Sequence, residues 1–154
     1  MAESEVVVST YVVPLQKSSI LIPDEMVAEI IPYEPLQRIQ DSPDWFLGFL
    51  GWRGVQVPVA SFEMLTIEKA SFSLVSVSSA GLVVLQALGN QDDFSYFAIV
   101  AQATPQLTEI TESQLFETEE PIEKTELAKA RLVADNVSIP DFDLIEWEIS
   151  RVAF

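Results

Sequence analysis

Arg53 is the side chain whose position best suits recognition chemistry, because it lies next to Trp52 between Gly51 and Gly54. A guanidinium offers a planar fork of donors that matches a carboxylate. The two glycines permit sharp backbone turns, so we expect Arg53 to be displayed at a bend that leads into a strand near Val55. This arrangement predicts a binding device rather than a catalytic one.

Pairs of carboxylates offer a second kind of chemistry. Asp92 and Asp93 are adjacent, and Glu146 and Glu148 alternate. Two such groups can act as acid and base in a glycoside hydrolase. Acids that are adjacent or that alternate on a strand are usually surface residues, and no second motif supports these pairs. A carboxylate-pair hydrolase is therefore the least favoured class.

The acidic stretch 109–124 allows two interpretations. It contains four glutamates that could form a cation site or contact a basic partner: Glu117, Glu119, Glu120 and Glu123. They lack the Asp-x-Asp-x-Asp-Gly order that a calcium loop requires, and Lys124 stands beside them. We favour a solvated loop with one helical turn at 111–116.

Missing residue types and net charge exclude several functions. The sequence has no His and no Cys, which excludes Ser-His and Cys-His relays, the common zinc sites and a phosphate-accepting histidine. The net charge of -16 disfavours binding to nucleic acid or insertion into a membrane surface. We expect no enzyme, no cofactor and no metal. The acidic surface serves either solubility, which we favour, or steering towards a basic partner, as in an acidic mimic of nucleic acid.

The length of 154 residues predicts one domain, which a chain of this size can build as two small subdomains around a shared core. No apolar run approaches the roughly 20 residues that a membrane helix needs. The first residues, MAESE, carry no basic region, so we expect no secretory signal and a cytoplasmic location.

Most apolar segments are strand-sized and bounded by turn residues, which predicts an all-β barrel or sandwich with short helical turns. The predicted strands cover residues 6–15, 20–22, 36–39, 72–78, 82–88, 96–101 and 144–152. A helical turn is expected at 61–65, and the segment 127–133 fits either a helix or a strand.

A short helix is predicted to begin at Pro43, with Ser42 as its cap. Four apolar residues recur there at helical spacing: Trp45, Phe46, Phe49 and Leu50. Trp52 follows at the turn, where we expect it to be exposed and available to a partner.

The run from Val27 to Val59 resembles the signature of CheW-like domains, the adaptor modules of bacterial chemosensory arrays. Twelve residues match in order and spacing: Glu29, Ile30, Tyr33, Leu36, Arg38, Ile39, Pro43, Phe46, Gly48, Arg53, Gly54 and Pro58. The resemblance implies a strand over 27–31 and a single domain, 1–154, made of two small SH3-like five-stranded barrels packed around a shared core.

The resemblance also implies a function. In this family one barrel face docks the regulatory domain of a CheA-type histidine kinase, and the groove between the barrels takes the cytoplasmic tip of a methyl-accepting chemoreceptor. The resemblance also implies that other CheW-like proteins are further partners. It implies that the protein is recruited to membrane-associated receptor arrays. The partner-binding residues carried over by position are Val27, Glu29, Trp52, Arg53 and Gly54, with an ion pair between Glu29 and Arg53 that orients the guanidinium.

Several positions depart from the family pattern. Gly51 stands where many members have Asn, Ser61 replaces an Asp, and residues 101–104 replace a Val-Asp-x-Val segment. A final helix is expected to be missing. With these departures, the sequence resembles the auxiliary adaptors of chemosensory systems that control type IV pili and twitching motility. The departures also leave kinase docking less supported than receptor binding.

Overall fold

Strands make up most of the computed structural model, which describes residues 7–16, 18–66, 80–89, 94–111, 114–117, 126–132 and 135–154. In chain order they are β1 (Val7–Pro14), β2 (Ser19–Pro23), β3 (Val27–Pro32), β4 (Phe46–Trp52), β5 (Val55–Ala60), β6 (Gly81–Gln86), β7 (Tyr96–Ala101), β8 (Gln106–Thr111), β9 (Leu115–Glu117), β10 (Glu126–Leu132) and β11 (Asp135–Pro140). The helices are α1 (Phe62–Thr66) and α2 (Phe142–Ala153), and a 3-10 turn covers Asp24–Met26.

These strands form two sheets within the described residues. One sheet has five strands in the order β3-β6-β7-β5-β4, and the other has six in the order β8-β1-β2-β11-β10-β9. Neighbours are antiparallel except β5 with β7 and β11 with β2, which are parallel. The predicted fold of two SH3-like barrels is confirmed, and the three-residue strand β9 adds a sixth strand to one of them.

A shared apolar core joins the two sheets. It contains buried residues from β1 and β2, from β6 and β7, and from α2: Val13, Ile20, Ile22, Val83, Leu85, Phe97, Ile99, Ile145 and Ile149. A second cluster fills the five-stranded barrel: Leu47, Leu50, Trp52, Val57, Val59, Leu82, Val84, Ala98 and Val100. Since successive side chains of β6 and β7 enter different clusters, both strands are buried on both faces. This explains the continuous apolar run at 96–101.

The predicted helix after Pro43 is wrong, because residues 46–52 form strand β4. A β-bulge between Phe46 and Gly48 shifts the register against β5. Phe46 and Leu47 are consequently both buried, and the apolar residues of the strand lose their simple alternation. The resulting pattern imitates helical spacing.

The predicted strand at 36–39 is also wrong. Only one bridge forms there, between Gln37 and Phe49. The Gln37 N–H donates to the Phe49 carbonyl at 3.0 Å, and the Phe49 N–H donates to the Gln37 carbonyl at 2.8 Å. This segment therefore covers the outer edge of β4 without becoming a strand of the sheet.

The end of the chain is a helix, so the prediction of a last strand at 144–152 and of a missing final helix is wrong. Asp141 is the N-cap and accepts a hydrogen bond from the Leu144 N–H at 3.3 Å. Ile145 and Ile149 are one turn apart and enter the shared core. After the helix, the Phe154 ring stacks on Phe94, with centroids 5.6 Å apart.

Other local predictions had mixed outcomes. The strands predicted at 6–15, 20–22, 82–88 and 96–101 are confirmed as β1, β2, β6 and β7, and the turn at 61–65 as α1. Residues 27–32 form β3, and the ambiguous segment 127–133 lies in strand β10 up to Leu132. The turn predicted at 111–116 is wrong at Thr111, which ends β8, and at 115–116, which belong to β9; residues 112–113 lie outside the described residues. The strand predicted at 72–78 lies outside the described residues.

Glu146 is a fully buried carboxylate on α2. Both of its oxygens accept from the Leu88 N–H, at 3.0 and 2.9 Å, so this side chain ties the segment just after β6 to the helix. Burial raises the pKa of the Glu146 carboxyl above its ordinary value of 4.5, the bond from Leu88 offsets part of this effect, and the Asp143 carboxylate adds to it.

Glu146→Gln is expected to remove a pH dependence of stability. Because the folded pKa is raised, the folded protein holds this proton more tightly than the unfolded chain does. The stabilisation is fully present below the ordinary pKa of 4.5 and is lost as the pH rises through the folded value. In urea unfolding, the native chain should lose free energy of unfolding relative to Glu146→Gln between acid and neutral pH. A difference that stays constant with pH would contradict this.

Candidate functional site

Arg53 and Gly54 form the two-residue turn between β4 and β5. Trp52 and Val55 are register partners on either side of it. Both turn residues have positive φ, 48° for Arg53 and 76° for Gly54, as the favoured two-residue hairpin turns require. Glycine adopts this conformation freely, whereas an arginine there is uncommon. The expected display of Arg53 at a bend leading into a strand is confirmed.

Glu29 lies on β3, at the opposite edge of the same sheet from β4. Its Oε1 atom nevertheless accepts a hydrogen bond from Arg53 Nη2 at 3.1 Å and another from Trp52 Nε1 at 2.8 Å. The sheet must therefore curl until side chains from its two edge strands meet. The predicted ion pair between Glu29 and Arg53 is confirmed, and it lies where the barrel closes.

A β-bulge in β3 directs the Glu29 side chain towards Trp52 and Arg53. Val27 pairs with Leu85 and belongs to the side of the sheet that faces the shared core. Simple alternation would place Glu29 on that same side. The bulge between these two residues instead pairs Glu29 with Val84, whose side chain points into the barrel cluster with Trp52. The extra residue thus turns the carboxylate towards the rim of the barrel.

Trp52 is 7% exposed, so the prediction that it is an exposed contact residue is wrong. It follows Leu50 on the inner face of β4, and its ring lies 5.0 Å from that of Tyr96. The Arg53 guanidinium carbon lies 4.6 Å from the Trp52 ring centroid. The arginine side chain itself remains 66% exposed, and that of Glu29 is 40% exposed.

The structure brings four of the five predicted site residues together: Glu29, Trp52, Arg53 and Gly54. Val27 shares β3 with Glu29 but is partly buried against the shared core. Sequence reasoning missed Tyr96, which supports the Trp52 ring from β7. No sequence signal links Tyr96 to the turn, because the contact depends on how strongly the sheet curls.

The carboxylate pairs do not form a catalytic site in the described part of the chain. Glu146 and Glu148 lie on α2 rather than on a strand, and both are buried, so their predicted surface position is wrong. Residues two apart on a helix point to different sides. Glu148 contacts Arg151 Nη2 at 2.7 Å, whereas Glu146 accepts from Leu88. Asp92 and Asp93 lie outside the described residues.

Metal-binding and membrane-spanning features are absent from the described ranges. There, no three side chains of the types His, Cys, Asp and Glu come together as a metal ion would need. Glu119, Glu120 and Glu123 fall outside those ranges. Neither of the described helices is both long and apolar enough to cross a membrane.

The family model of the CheW-like domain matches residues 10–144. The chain belongs to the CheW-like domain family. The fold agrees with this: it is similar to the scaffolding protein TtCheW from Thermoanaerobacter tengcongensis, with a TM-score of 0.71 and 12% identity over 91% of this chain and 88% of that one. At such low identity the likeness concerns the fold alone. A comparison with curated protein sequences gives no match.

Membership of the CheW-like family gives the general role. Proteins of this family are non-enzymatic scaffolds of chemotaxis that bind chemoreceptors and CheA. This chain is accordingly an adaptor rather than an enzyme.

Proposed function

We propose that this chain couples the cytoplasmic tip of a methyl-accepting chemoreceptor to the regulatory domain of a CheA-type histidine kinase. The receptor tip docks at the turn that carries Arg53. The observation that carries this proposal is the Arg53 guanidinium, which is largely exposed and yet fixed by an ion pair and by stacking on a buried ring. A fixed donor fork loses little entropy when it binds an acceptor.

The remaining donors of Arg53 are available to a partner. Among the described residues, the Arg53 guanidinium donates to Glu29, and it uses only Nη2 for this bond. The proposed partner site comprises Val27, Glu29, Arg53 and Gly54, and the buried Trp52 lies beneath them. Val27 contributes from the start of β3, and Gly54 permits the turn.

The kinase and further CheW-like proteins complete the proposed set of partners. The kinase regulatory domain has the same fold in this family, and one barrel face docks it. The observed helix α2 removes one of the departures that weighed against kinase docking. We also propose that residues 1–154 act as a single domain recruited from the cytoplasm to membrane-associated receptor arrays.

Purified components test this function directly. The chain is titrated with a chemoreceptor cytoplasmic fragment and with the kinase regulatory domain encoded in the same genome, each at low and at high salt. Binding of both, and kinase stimulation when all three are present, supports the adaptor role. Binding of neither, together with salt-sensitive binding to a basic nucleic-acid-binding protein, would favour an acidic mimic instead.

The pathway proposed for this adaptor is a chemosensory system of type IV pili and twitching motility. Gly51 and Ser61, which depart from the common pattern, support it. Ser61 is buried and its hydroxyl accepts from the Met64 N–H at 3.3 Å, so it caps the first turn of α1. Deletion of the gene should abolish twitching and leave swimming intact. The opposite pattern would assign the adaptor to flagellar control.

A further inference from the structure

We propose that Trp52 is a positioning residue for the pair formed by Glu29 and Arg53. It acts from beneath the turn and does not itself contact the partner, because its side chain is buried. The indole fixes both members of the pair at once, so that the outer edge of the guanidinium is aimed at an acceptor on the partner. This inference rests on the proposed docking of a receptor tip at Arg53.

One carboxylate oxygen receives two donors. Glu29 Oε1 accepts from Trp52 Nε1 at 2.8 Å and from Arg53 Nη2 at 3.1 Å. The indole donor comes from a ring packed in the barrel cluster, whereas the arginine donor comes from a side chain that is 66% exposed. The shorter bond therefore sets where the oxygen lies, and the oxygen then sets where Arg53 Nη2 lies.

The indole ring also supports the guanidinium directly. The guanidinium carbon of Arg53 lies 4.6 Å from the ring centroid, within the range of a cation-π contact. The ring is packed in the barrel cluster, and Tyr96 lies 5.0 Å from it. Trp52 thus restrains Arg53 twice, once through the face of its ring and once through its N–H and Glu29.

A residue that only fills the core would not need the indole N–H. Phenylalanine would provide an aromatic face at this position, but it could not donate to Glu29. Trp52→Phe therefore separates the two roles. It retains the ring beneath Arg53 and removes the bond that places the carboxylate.

The first measurement needs no partner. In nuclear magnetic resonance relaxation of the free chain, Trp52→Phe should lower the order parameter of the Arg53 Nε–H while circular dichroism shows a folded chain. The thermal melt itself should fall, because the smaller ring leaves part of the barrel core unfilled. The matched control is Trp147→Phe on α2, which alters the only other described Trp that stacks on an arginine, Arg151. An unchanged Arg53 order parameter in a folded Trp52→Phe chain overturns the inference, whether or not a receptor binds.

The second measurement is a double-mutant cycle with the purified receptor fragment. Trp52→Phe should weaken receptor binding about tenfold, because a hydrogen bond to a charged group is lost. It should have no effect in an Arg53→Ala background and none on binding to the kinase regulatory domain. Equal weakening in both backgrounds would show that Trp52 acts only through packing. If the native chain does not bind the receptor at all, the proposed function fails, while the relaxation measurement still decides the role of Trp52.

Discussion

Arg53→Glu is expected to abolish docking of the chemoreceptor tip while the thermal melt stays nearly unchanged. The arginine is 66% exposed, and an exposed ion pair contributes roughly 0 to 1 kcal/mol to folding. The substituted residue keeps a side chain at the same positive φ, so backbone strain changes little. At an interface, the loss of a charged anchor costs about 2 kcal/mol or more, and the reversed charge also faces Glu29 and the partner's acceptor.

Arg38→Glu is the matched control for this charge reversal. Arg38 is also exposed, and its Nη2 atom lies 3.7 Å from Asp44 Oδ1 in an ion pair of its own. Its replacement by glutamate changes the net charge by the same amount as Arg53→Glu. Titration calorimetry with the receptor fragment, alongside circular dichroism of each variant, should show loss of binding for Arg53→Glu alone. A folded Arg53→Glu chain that binds with native affinity would remove the turn from the proposed interface.

Gly48→Ala is expected to be the most destabilising glycine-to-alanine substitution in the hairpin formed by β4 and β5. Gly48 has a φ of 129°, and a Cβ added there would lie 2.5 Å from the Gln37 carbonyl oxygen. That oxygen accepts the Phe49 N–H, so the new methyl group would push the covering segment away from β4. Backbone strain and overpacking together should lower the free energy of unfolding by about 3 kcal/mol.

Gly51→Ala on the same strand is the control. A Cβ at Gly51 meets no heavy atom within 4 Å, so this variant should stay within about 0.5 kcal/mol of the native chain. Urea unfolding of both variants gives the comparison. Similar stabilities for Gly48→Ala and Gly51→Ala would mean that the segment around Gln37 yields easily and does not brace β4.

The sequence was sufficient for the strands whose alternation or apolar runs are unbroken. Tyr96 to Ala101 is the clearest example, since six consecutive apolar residues fit a strand buried on both faces. It was insufficient where a bulge interrupts the period. The bulge after Phe46 placed two neighbouring residues inside and made β4 resemble a helix. Single-sequence patterns carry no reliable marker for such an insertion.

Helix α2 was missed for a different reason, because its signals were present. Asp141 follows Pro140 as an N-cap, and Ile145 and Ile149 are spaced by one helical turn. The alternation of Ile145, Trp147 and Ile149 suggested a strand instead. Trp147 is 48% exposed, which fits the outer side of an amphipathic helix.

The candidate site was predictable only in part. The resemblance to CheW-like domains led to Glu29 and Arg53, and the two are paired in the structure. The bond from Trp52 to Glu29 was not predictable, because it requires the bulge that turns Glu29 towards the rim of the barrel. A one-residue change of register reverses the face of every side chain beyond it, and this depends on tertiary packing.

Closure of the five-stranded barrel by Glu29 has a mechanical consequence. Strands β3 and β4 are the two edges of the sheet, and the contacts of Glu29 with Trp52 and Arg53 span the seam between them with side chains. A force applied to Arg53 is thus transmitted to both edge strands. It reaches β4 through the backbone and β3 through the Glu29 carboxylate. We therefore expect a load applied at this turn to reach both edges of the sheet and not the β4–β5 hairpin alone.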